Sequence, residues 1–287
     1  MQYWFIFNPK SGTRFRQKAA QIEAAAAAQA KLHACEIVLE ITTCAGHATE
    51  LAQQAVAQKV AVVVAVGGDG TVNEVARGLL GSNTALGIVP MGSGNGLARH
   101  LGISMNVPAA IERVFGTNKQ LVDSALINNI PFFCTAGMGF DAYVAAQFAQ
   151  QSRRGFATYV QTSLASFWNY QPQEYHFDNQ AKRLFTLTFA NASQFGNNAY
   201  IAPRASMEDG LLDVCQLKPF SALGGLNVAW RLFGKSLDRS AFATIEQYTH
   251  LAIQTQQPPL IHYDGESLQL KTNEIHVQIV PKSLWVK

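Results

Sequence analysis

The sequence predicts an α/β half built on a parallel sheet, followed by an antiparallel, sandwich-like β half. Three observations carry this. Strand and helix patterns alternate from residue 3 to residue 89, and such alternation implies right-handed βαβ units. Residues 60–66 are an almost unbroken aliphatic run, the pattern of a strand buried on both faces of a parallel sheet. From residue 121 onward, strand-like runs adjoin one another, as antiparallel sheets do.

In order, residues 3–7 form a short apolar strand closed by the turn cluster Asn8-Pro9-Lys10-Ser11-Gly12. Residues 16–34 are rich in Ala and Gln and carry no Gly or Pro, so they predict a helix, and the low-complexity stretch 24–28 is good helix former. A second strand (35–41), second helix (47–58), third strand (60–66), third helix (71–80) and fourth strand (85–89) follow. Later strands are expected at 121–127, 131–136, 175–177, 184–190, 211–217 and 251–254, with helices at 140–151 and 156–169. The boundary falls near residue 124 without a Ser/Gly-rich linker, so two closely packed domains with a cleft between them are expected: 1–124 and 125–273. No internal repeat is present.

Composition narrows the function classes. Of 287 residues, 48% are hydrophobic and 14% charged, and 22 Lys+Arg against 19 Asp+Glu give a net charge of +3. A disordered chain needs fewer apolar residues and more charge. A dedicated nucleic-acid binder needs a dense basic stripe. The longest aliphatic run, 60–66, falls far short of the ~20 residues that span a bilayer, and no transmembrane segment is expected. No charged leader with an apolar segment opens the chain, so a cytoplasmic location is expected. Cys35, Cys44, Cys134 and Cys215 have no C-x-x-C spacing and read as reduced residues.

The chemistry concentrates in glycine loops. Gly67-Gly68-Asp69-Gly70-Thr71 follows the third strand and leads into Val72-Asn73-Glu74. Glycines let the backbone approach a ligand, their amides form an anion nest, and the following helix N-terminus adds positive potential. Asp69 is anomalous there, since a carboxylate repels an anion unless it binds a metal or accepts a proton. The plainer alternative is an Asp at a tight turn. A second loop, Pro90-Met91-Gly92-Ser93-Gly94-Asn95-Gly96, follows the fourth strand. Together with the loop after the first strand, these open onto the edge where α/β sheets bind ligands.

These motifs resemble the diacylglycerol kinase catalytic-domain family, which includes bacterial lipid kinases and the sphingosine and ceramide kinases. The resemblance continues through Gly137-Met138-Gly139-Phe140-Asp141-Ala142, Glu208-Asp209-Gly210-Leu211-Leu212-Asp213 and Tyr263-Asp264-Gly265-Glu266. It implies a Rossmann-like nucleotide-binding domain, a β-sandwich lipid domain and a C-terminal return of about residues 274–287 to the first. It implies lipid metabolism: phosphoryl transfer from ATP to a lipid hydroxyl, with Mg²⁺, at the membrane surface. It places nucleotide contacts at Asn8, Thr42 (or Thr43), Gly67, Gly68, Asp69, Gly70, Thr71, Val72, Asn73 and Ser93. It makes Glu266 the catalytic base, with Asp69 as competitor or partner, and puts a structural magnesium on the Asp209 carboxylate and the Ser206 and Leu211 carbonyls. Gly96 stands where diacylglycerol kinases usually have Asp, which shifts the loop toward the sphingosine and ceramide kinase form and leaves the acceptor open. A homodimer is left open as well.

Other signals read more plainly. Gly137-x-Gly139-x-x-Ala142 lacks the acidic residue a dinucleotide fingerprint needs ~20 positions on. Phe233-Gly234-Lys235-Ser236 imitates a P-loop end by chance, and the sequon Asn191-Ala192-Ser193 needs a secretory route. The histidines form no ligand cluster, and His47 reads as a helix-start polar residue. Phe132, Phe133, Phe148, Phe156, Phe167, Trp168, Trp230 and Phe233 are expected mostly in the core, with some free to line an acyl channel. Arg153-Arg154 can touch anionic headgroups or be merely solvated. A soluble kinase of the NAD kinase or phosphofructokinase type shares Gly-Gly-Asp-Gly, but not the Asp209 and Glu266 motifs. A non-catalytic nucleotide or lipid sensor has no need of both Asp69 and Glu266.

Overall fold

Residues 1–11, 15–151 and 155–287 are described by the computed structural model; Gly12 and Thr13 of the first loop, and Arg153-Arg154, lie outside the described residues. The chain divides into two units, residues 1–122 with 282–287, and residues 123–281.

The first unit runs β1 (Gln2–Phe7), α1 (Phe15–Leu32), β2 (Glu36–Ile41), α2 (His47–Ala57), β3 (Val62–Gly67), α3 (Asp69–Leu79), β4 (Ala85–Pro90), α4 (Gly96–His100) and α5 (Val107–Phe115). The strands are parallel in the order β2-β1-β3-β4, and Val286 of the returning C-terminus pairs with Leu86. The order reverses between β1 and β3, and the space beyond the carboxyl ends at such a switch point is the usual ligand position in these sheets. Tyr3, Phe5 and Phe7 of β1 and Val62, Val64 and Val66 of β3 pack with Ile22 and Ala26 of α1 and Ile111 and Phe115 of α5. On α2 and α3, Leu51, Ala52, Val75 and Leu79 are buried. These helices cross closely at Gly78, where a Cβ would lie 2.6 Å from that of Ala52.

Two helix ends differ from expectation for local reasons. The first helix stops at Leu32, not 34, because Ala34 turns left-handed (φ 49°) and Cys35 N–H reaches back to the Ala30 carbonyl at 3.0 Å, a Schellman-type closure. The third begins at Asp69, not Thr71, with Gly68 as its cap. An acidic residue in the first turn complements the helix dipole, so most of the glycine motif is already helix. The unexpected α5 carries ordinary signals: Asn106 caps it by accepting from Ala109 N–H at 3.3 Å, with a proline in its first turn.

The second unit contains β5 (Gln120–Ile127, beginning in the first unit), β6 (Ile130–Phe132), β7 (Thr135–Gly139), α6 (Phe140–Ala149), α7 (Phe156–Phe167), β8 (Gln173–Phe177), β9 (Gln180–Leu184), β10 (Thr186–Ala190), β11 (Leu212–Leu217), α8 (Ala222–Phe233), β12 (Ala243–Tyr248), β13 (His250–Thr255), β14 (Leu260–Tyr263), β15 (Glu266–Gln269) and β16 (Glu274–Val286). Of residues 274–287, only 282–287 join the first unit. One antiparallel sheet is ordered β12-β11-β10-β7-β14-β15, and the other includes β9, β8, β13, β16, β5 and β6. Met138, Leu187, Phe189 and Val214 of the first meet Tyr175, Ile253, Ile275 and Val277 of the second, which makes a sandwich core. A separate aromatic cluster, with Phe140, Tyr170, Phe185 and Phe220, lies among α6, α7 and α8.

The run 184–190, expected as one strand, is two: Phe185 separates β9 from β10, and its N–H bonds the Leu217 carbonyl at 2.7 Å. The expectation that the aromatics are mostly core holds for Phe132 and Phe133, but Phe156, Trp168, Trp230 and Phe233 are exposed. Among the described residues no helix is long and apolar enough to cross a membrane.

Candidate active site

At the carboxyl edge of the first unit's sheet, three loops are joined by short polar contacts. Asn8, just past β1, donates from Nδ2 to Thr71 Oγ1 at 2.9 Å. Ser11 Oγ accepts the Gly68 N–H at 3.3 Å. Thr42, past β2, is buried and its N–H bonds the Phe7 carbonyl at 2.9 Å, which ties that end to β1. Neighbouring Thr43 is exposed and pairs with His47 Nδ1 at 3.1 Å, so His47 serves the start of α2.

Asp69 has a task that neither sequence reading includes. Its Oδ2 accepts the Asn95 N–H at 2.9 Å and its Oδ1 the Gly96 N–H at 2.7 Å. The carboxylate of the first glycine loop thus grips the backbone of the second, and its charge is partly balanced by those amides. Asn95 completes the second loop in a left-handed conformation (φ 51°): Oδ1 takes the Gly92 N–H at 3.1 Å, and Nδ2 donates to the Gly92 carbonyl at 2.8 Å. The sequence signal for this role is local: an Asn between glycines is a type that tolerates the left-handed region.

The glycines are dictated by contact. A Cβ on Gly92 would sit 2.7 Å from Gly68 Cα, and one on Gly94 would sit 2.7 Å from Asp69 Oδ2. A Cβ on Gly67 would overlap the Thr71 side chain. Val72 and Asn73 are buried in α3, Gly70 is half-buried in its first turn, and Ser93 is exposed at the tip of the second loop. The structure therefore brings Asn8, Thr42, residues 67–73 and Ser93 to one edge, where helical amides and hydroxyls can receive an anion.

In the second unit, Asp264 and Gly265 form the two-residue turn between β14 and β15, both with positive φ (45° and 89°), the hairpin geometry that Asp-Gly favours. Asp264 Oδ2 accepts Phe133 N–H at 2.9 Å, and Oδ1 accepts Cys134 and Thr135 N–H at 2.8 and 3.1 Å. Glu266, the next residue, is exposed. Asn at position 264 keeps the shape and the left-handed backbone but turns an amide donor toward N–H groups. Asp264→Asn is expected to lower unfolding free energy by about 2–3 kcal/mol, from the worth of hydrogen bonds to a charged group. Urea denaturation checks this; an unchanged midpoint sinks the clamp assignment.

A buried cluster escaped the sequence reading. Asp141 Oδ2 accepts from Thr188 Oγ1 at 2.6 Å and lies 3.1 Å from His262 Nε2, and all three residues are buried. Gly137 makes room for it: a Cβ there would lie 2.7 Å from Asp141 Oδ2 and 3.1 Å from His262 Nε2. Packing thus accounts for the glycine of the apparent dinucleotide fingerprint. Burial pushes the Tyr159, Tyr170 and Tyr175 phenols up, and the Asp141 charge adds to it. The apparent P-loop end at Gly234-Lys235 closes α8: Gly234 and Ser236 N–H bond the Trp230 and Arg231 carbonyls.

At the expected metal position, Asp209 is exposed and its Oδ1 accepts the Leu211 N–H at 3.1 Å. Ser206 Oγ accepts Glu208 N–H at 3.2 Å, and Gly210 (φ 71°) donates to buried Asp123 Oδ2 at 2.8 Å. Close in sequence, Asp213 Oδ2 is buried with no hydrogen-bond partner; burial, with Asp209 adding charge, pushes this carboxyl up to about 6. Among the described residues no group of three or more His, Cys, Asp or Glu is placed to hold a metal. A lone exposed carboxylate is too little for an all-protein cage, so a magnesium ion held here would have to keep several waters.

Comparison with known proteins matches both units. The profile of the diacylglycerol kinase catalytic domain covers residues 2–127, and that of the YegS C-terminal NAD kinase beta sandwich-like domain covers residues 134–287. A protein of Synechocystis sp., named as uncharacterized, is 31% identical over 77% of this chain; the chain spans about half (53%) of that relative's length. The "probable lipid kinase YegS-like" protein of Chromohalobacter salexigens is 32% identical over 77% of this chain and 72% of its own. The crystal structure of a diacylglycerol kinase from Bacillus anthracis aligns with a TM-score of 0.75 at 21% identity, covering 99% of this chain and 96% of that one. At that identity it speaks for the fold.

Proposed function

The chain belongs to the diacylglycerol kinase catalytic-domain family of lipid kinases, and from that premise we propose that it transfers the γ-phosphoryl group of ATP to a hydroxyl of a lipid such as diacylglycerol. The observation that carries this is the locking of the two glycine loops by Asp69 on the Asn95 and Gly96 amides, at the sheet edge where an anionic ligand belongs. Phosphoryl transfer asks mainly for positioning and charge neutralisation. The amides of residues 67–71 and the start of α3 cradle the phosphates. Asn8, Thr42, Thr71, Asn73 and Ser93 supply polar contacts, with Val72 anchoring the turn. Asp69 keeps the second loop in place and would be the carboxylate of this edge available to a metal carried by the nucleotide. Glu266 receives the proton of the acceptor hydroxyl. Magnesium bound with the nucleotide supplies neutralisation of the transferring group. The protein works in the cytoplasm, in peripheral contact with the membrane.

Transfer from labelled ATP onto diacylglycerol, monoacylglycerol, phosphatidylglycerol, ceramide and sphingoid bases tests the reading; label appearing only on NAD or a sugar phosphate sinks it. The Asp209 site has its own test. Magnesium, without nucleotide, is expected to raise the melting temperature of the wild-type protein, and Asp209→Ala to lower that temperature and abolish the response, with ATP affinity little changed. Equal melting temperatures of the wild type with and without magnesium would favour a plain turn.

A further inference from the structure

Helices α7 and α8 are apolar on the wrong side. On α7, Leu164 and, just past its end, Trp168 face outward, with Trp168 74% exposed. On α8, Leu223, Leu226, Trp230 and Phe233 recur at helical spacing, and Leu223 and Trp230 are 80% and 70% exposed. Surface helices normally turn such a stripe toward the core. Here the inward side is already filled: Phe167 stacks on Phe220 with centroids 6.1 Å apart and lies against Gly225, which has no side chain there. The two faces are neighbours, since the Phe156 and Phe233 rings meet edge-on at 6.1 Å. A contiguous exposed patch of this kind marks an interaction surface.

Charge identifies the occupant. Neither α7 nor α8 contains an acidic residue. Directly past α8, Pro203, Arg204, Lys235, Asp238 and Arg239 line a groove. Its one acid, Asp238, is paired to Arg204 at 2.9 Å, which leaves the groove net positive. Exposed indoles on helices without acidic residues, with lysine and arginine just past the end of α8, suit the headgroup boundary of a bilayer, and the cations suit anionic headgroups.

We propose that the outward face of α7 and α8, with the adjoining Arg204–Lys235–Arg239 groove, docks the protein on a bilayer containing anionic phospholipid. The docking deepens the lipid-kinase reading, and rests on it for the surface where acceptor is found. Leu223, Leu226 and Trp230 enter the acyl boundary while Lys235 and Arg239 meet phosphates.

The test uses the full chain and vesicles of phosphatidylcholine with or without phosphatidylglycerol, in the absence of nucleotide. Co-sedimentation is expected only with phosphatidylglycerol, with a blue shift of tryptophan emission. Trp4 is already buried and Trp285 is packed, partly buried, against the first unit's core and under Lys119, so the shift reports mainly the exposed Trp168 and Trp230. Trp168→Ser with Trp230→Ser should weaken partitioning at least about tenfold. Lys235→Glu with Arg239→Glu should abolish the preference for phosphatidylglycerol. Both variants should keep the wild-type melting temperature and turnover on dioctanoylglycerol dissolved as monomer. Vesicle binding unchanged in both variants overturns the docking face. So does a wild-type protein that ignores vesicles, including one that sediments as a dimer which Trp230→Ser dissociates. A chain that docks yet phosphorylates no lipid overturns the kinase reading alone; one that phosphorylates dissolved lipid but never docks overturns the docking alone.

Discussion

A Gly68→Val protein is expected to fold normally and to bind ATP at least about a hundredfold more weakly. The backbone at Gly68 is extended (φ −92°, ψ −171°), a region that valine prefers, so no strain arises within the residue. The damage comes from its neighbour. A Cβ at 68 lies 3.3 Å from Gly92 Cα, a backbone atom with little room to yield, and valine's two methyls extend further. The two loops must part, which pulls the Asn95 and Gly96 amides from Asp69 and disperses the amides meant for phosphate. Losing one or two charge-assisted contacts, each worth about 1.5–3 kcal/mol, gives the stated factor. Gly92→Ala presses the same contact from the other side, with its Cβ 2.7 Å from Gly68 Cα, and should act alike. Calorimetric titration of ATP into folded Gly68→Val protein reads the effect directly; wild-type affinity there refutes the placement of the nucleotide.

The glycine pair shows what a sequence can and cannot carry. That two glycine loops follow successive strands was legible, because strand periodicity and glycine punctuation are local. That Gly68 and Gly92 are glycines because they touch each other was not, since the contact joins residues 24 positions apart in sequence. Asp69 was legible as an anomaly for the same reason: its explanation, the amides of Asn95 and Gly96, lies on another loop. Asp141, His262 and Thr188 sit on three separate elements, so nothing local announces their network. In the second unit, β9 went unseen because its sequence, Gln-Ala-Lys-Arg-Leu, is a mostly exposed polar strand, although Asp178-Asn179 before it form a left-handed turn. Phe156, Trp168, Trp230 and Phe233 were expected mostly in the core because residue type says what is usually buried and not whether another element covers it.

Glu266→Gln is expected to lower kcat by about 10²–10⁴, the usual worth of a general base, with ATP affinity within about twofold of wild type. A lipid hydroxyl attacks poorly until its proton has an acceptor, and the Glu266 carboxylate is the group proposed for that task. The Asp264-Gly265 turn fixes the backbone just before Glu266, and Asp264 pins that turn to the amides of Phe133, Cys134 and Thr135. Glu266 itself is exposed at the start of β15, so its carboxylate is accessible to an acceptor lipid. Asp69 is the rival, and its hydrogen bonds weigh against it. Each oxygen already takes a backbone N–H of the second loop, so the carboxylate is engaged in holding that loop. Asp69→Asn replaces one oxygen by an amide facing an N–H, so it should loosen the second loop and reduce both nucleotide affinity and turnover. The two substitutions therefore separate: Glu266→Gln should cut turnover alone, Asp69→Asn turnover and binding together. Full turnover by Glu266→Gln on its best lipid would remove Glu266 as the base and leave Asp69 in that role.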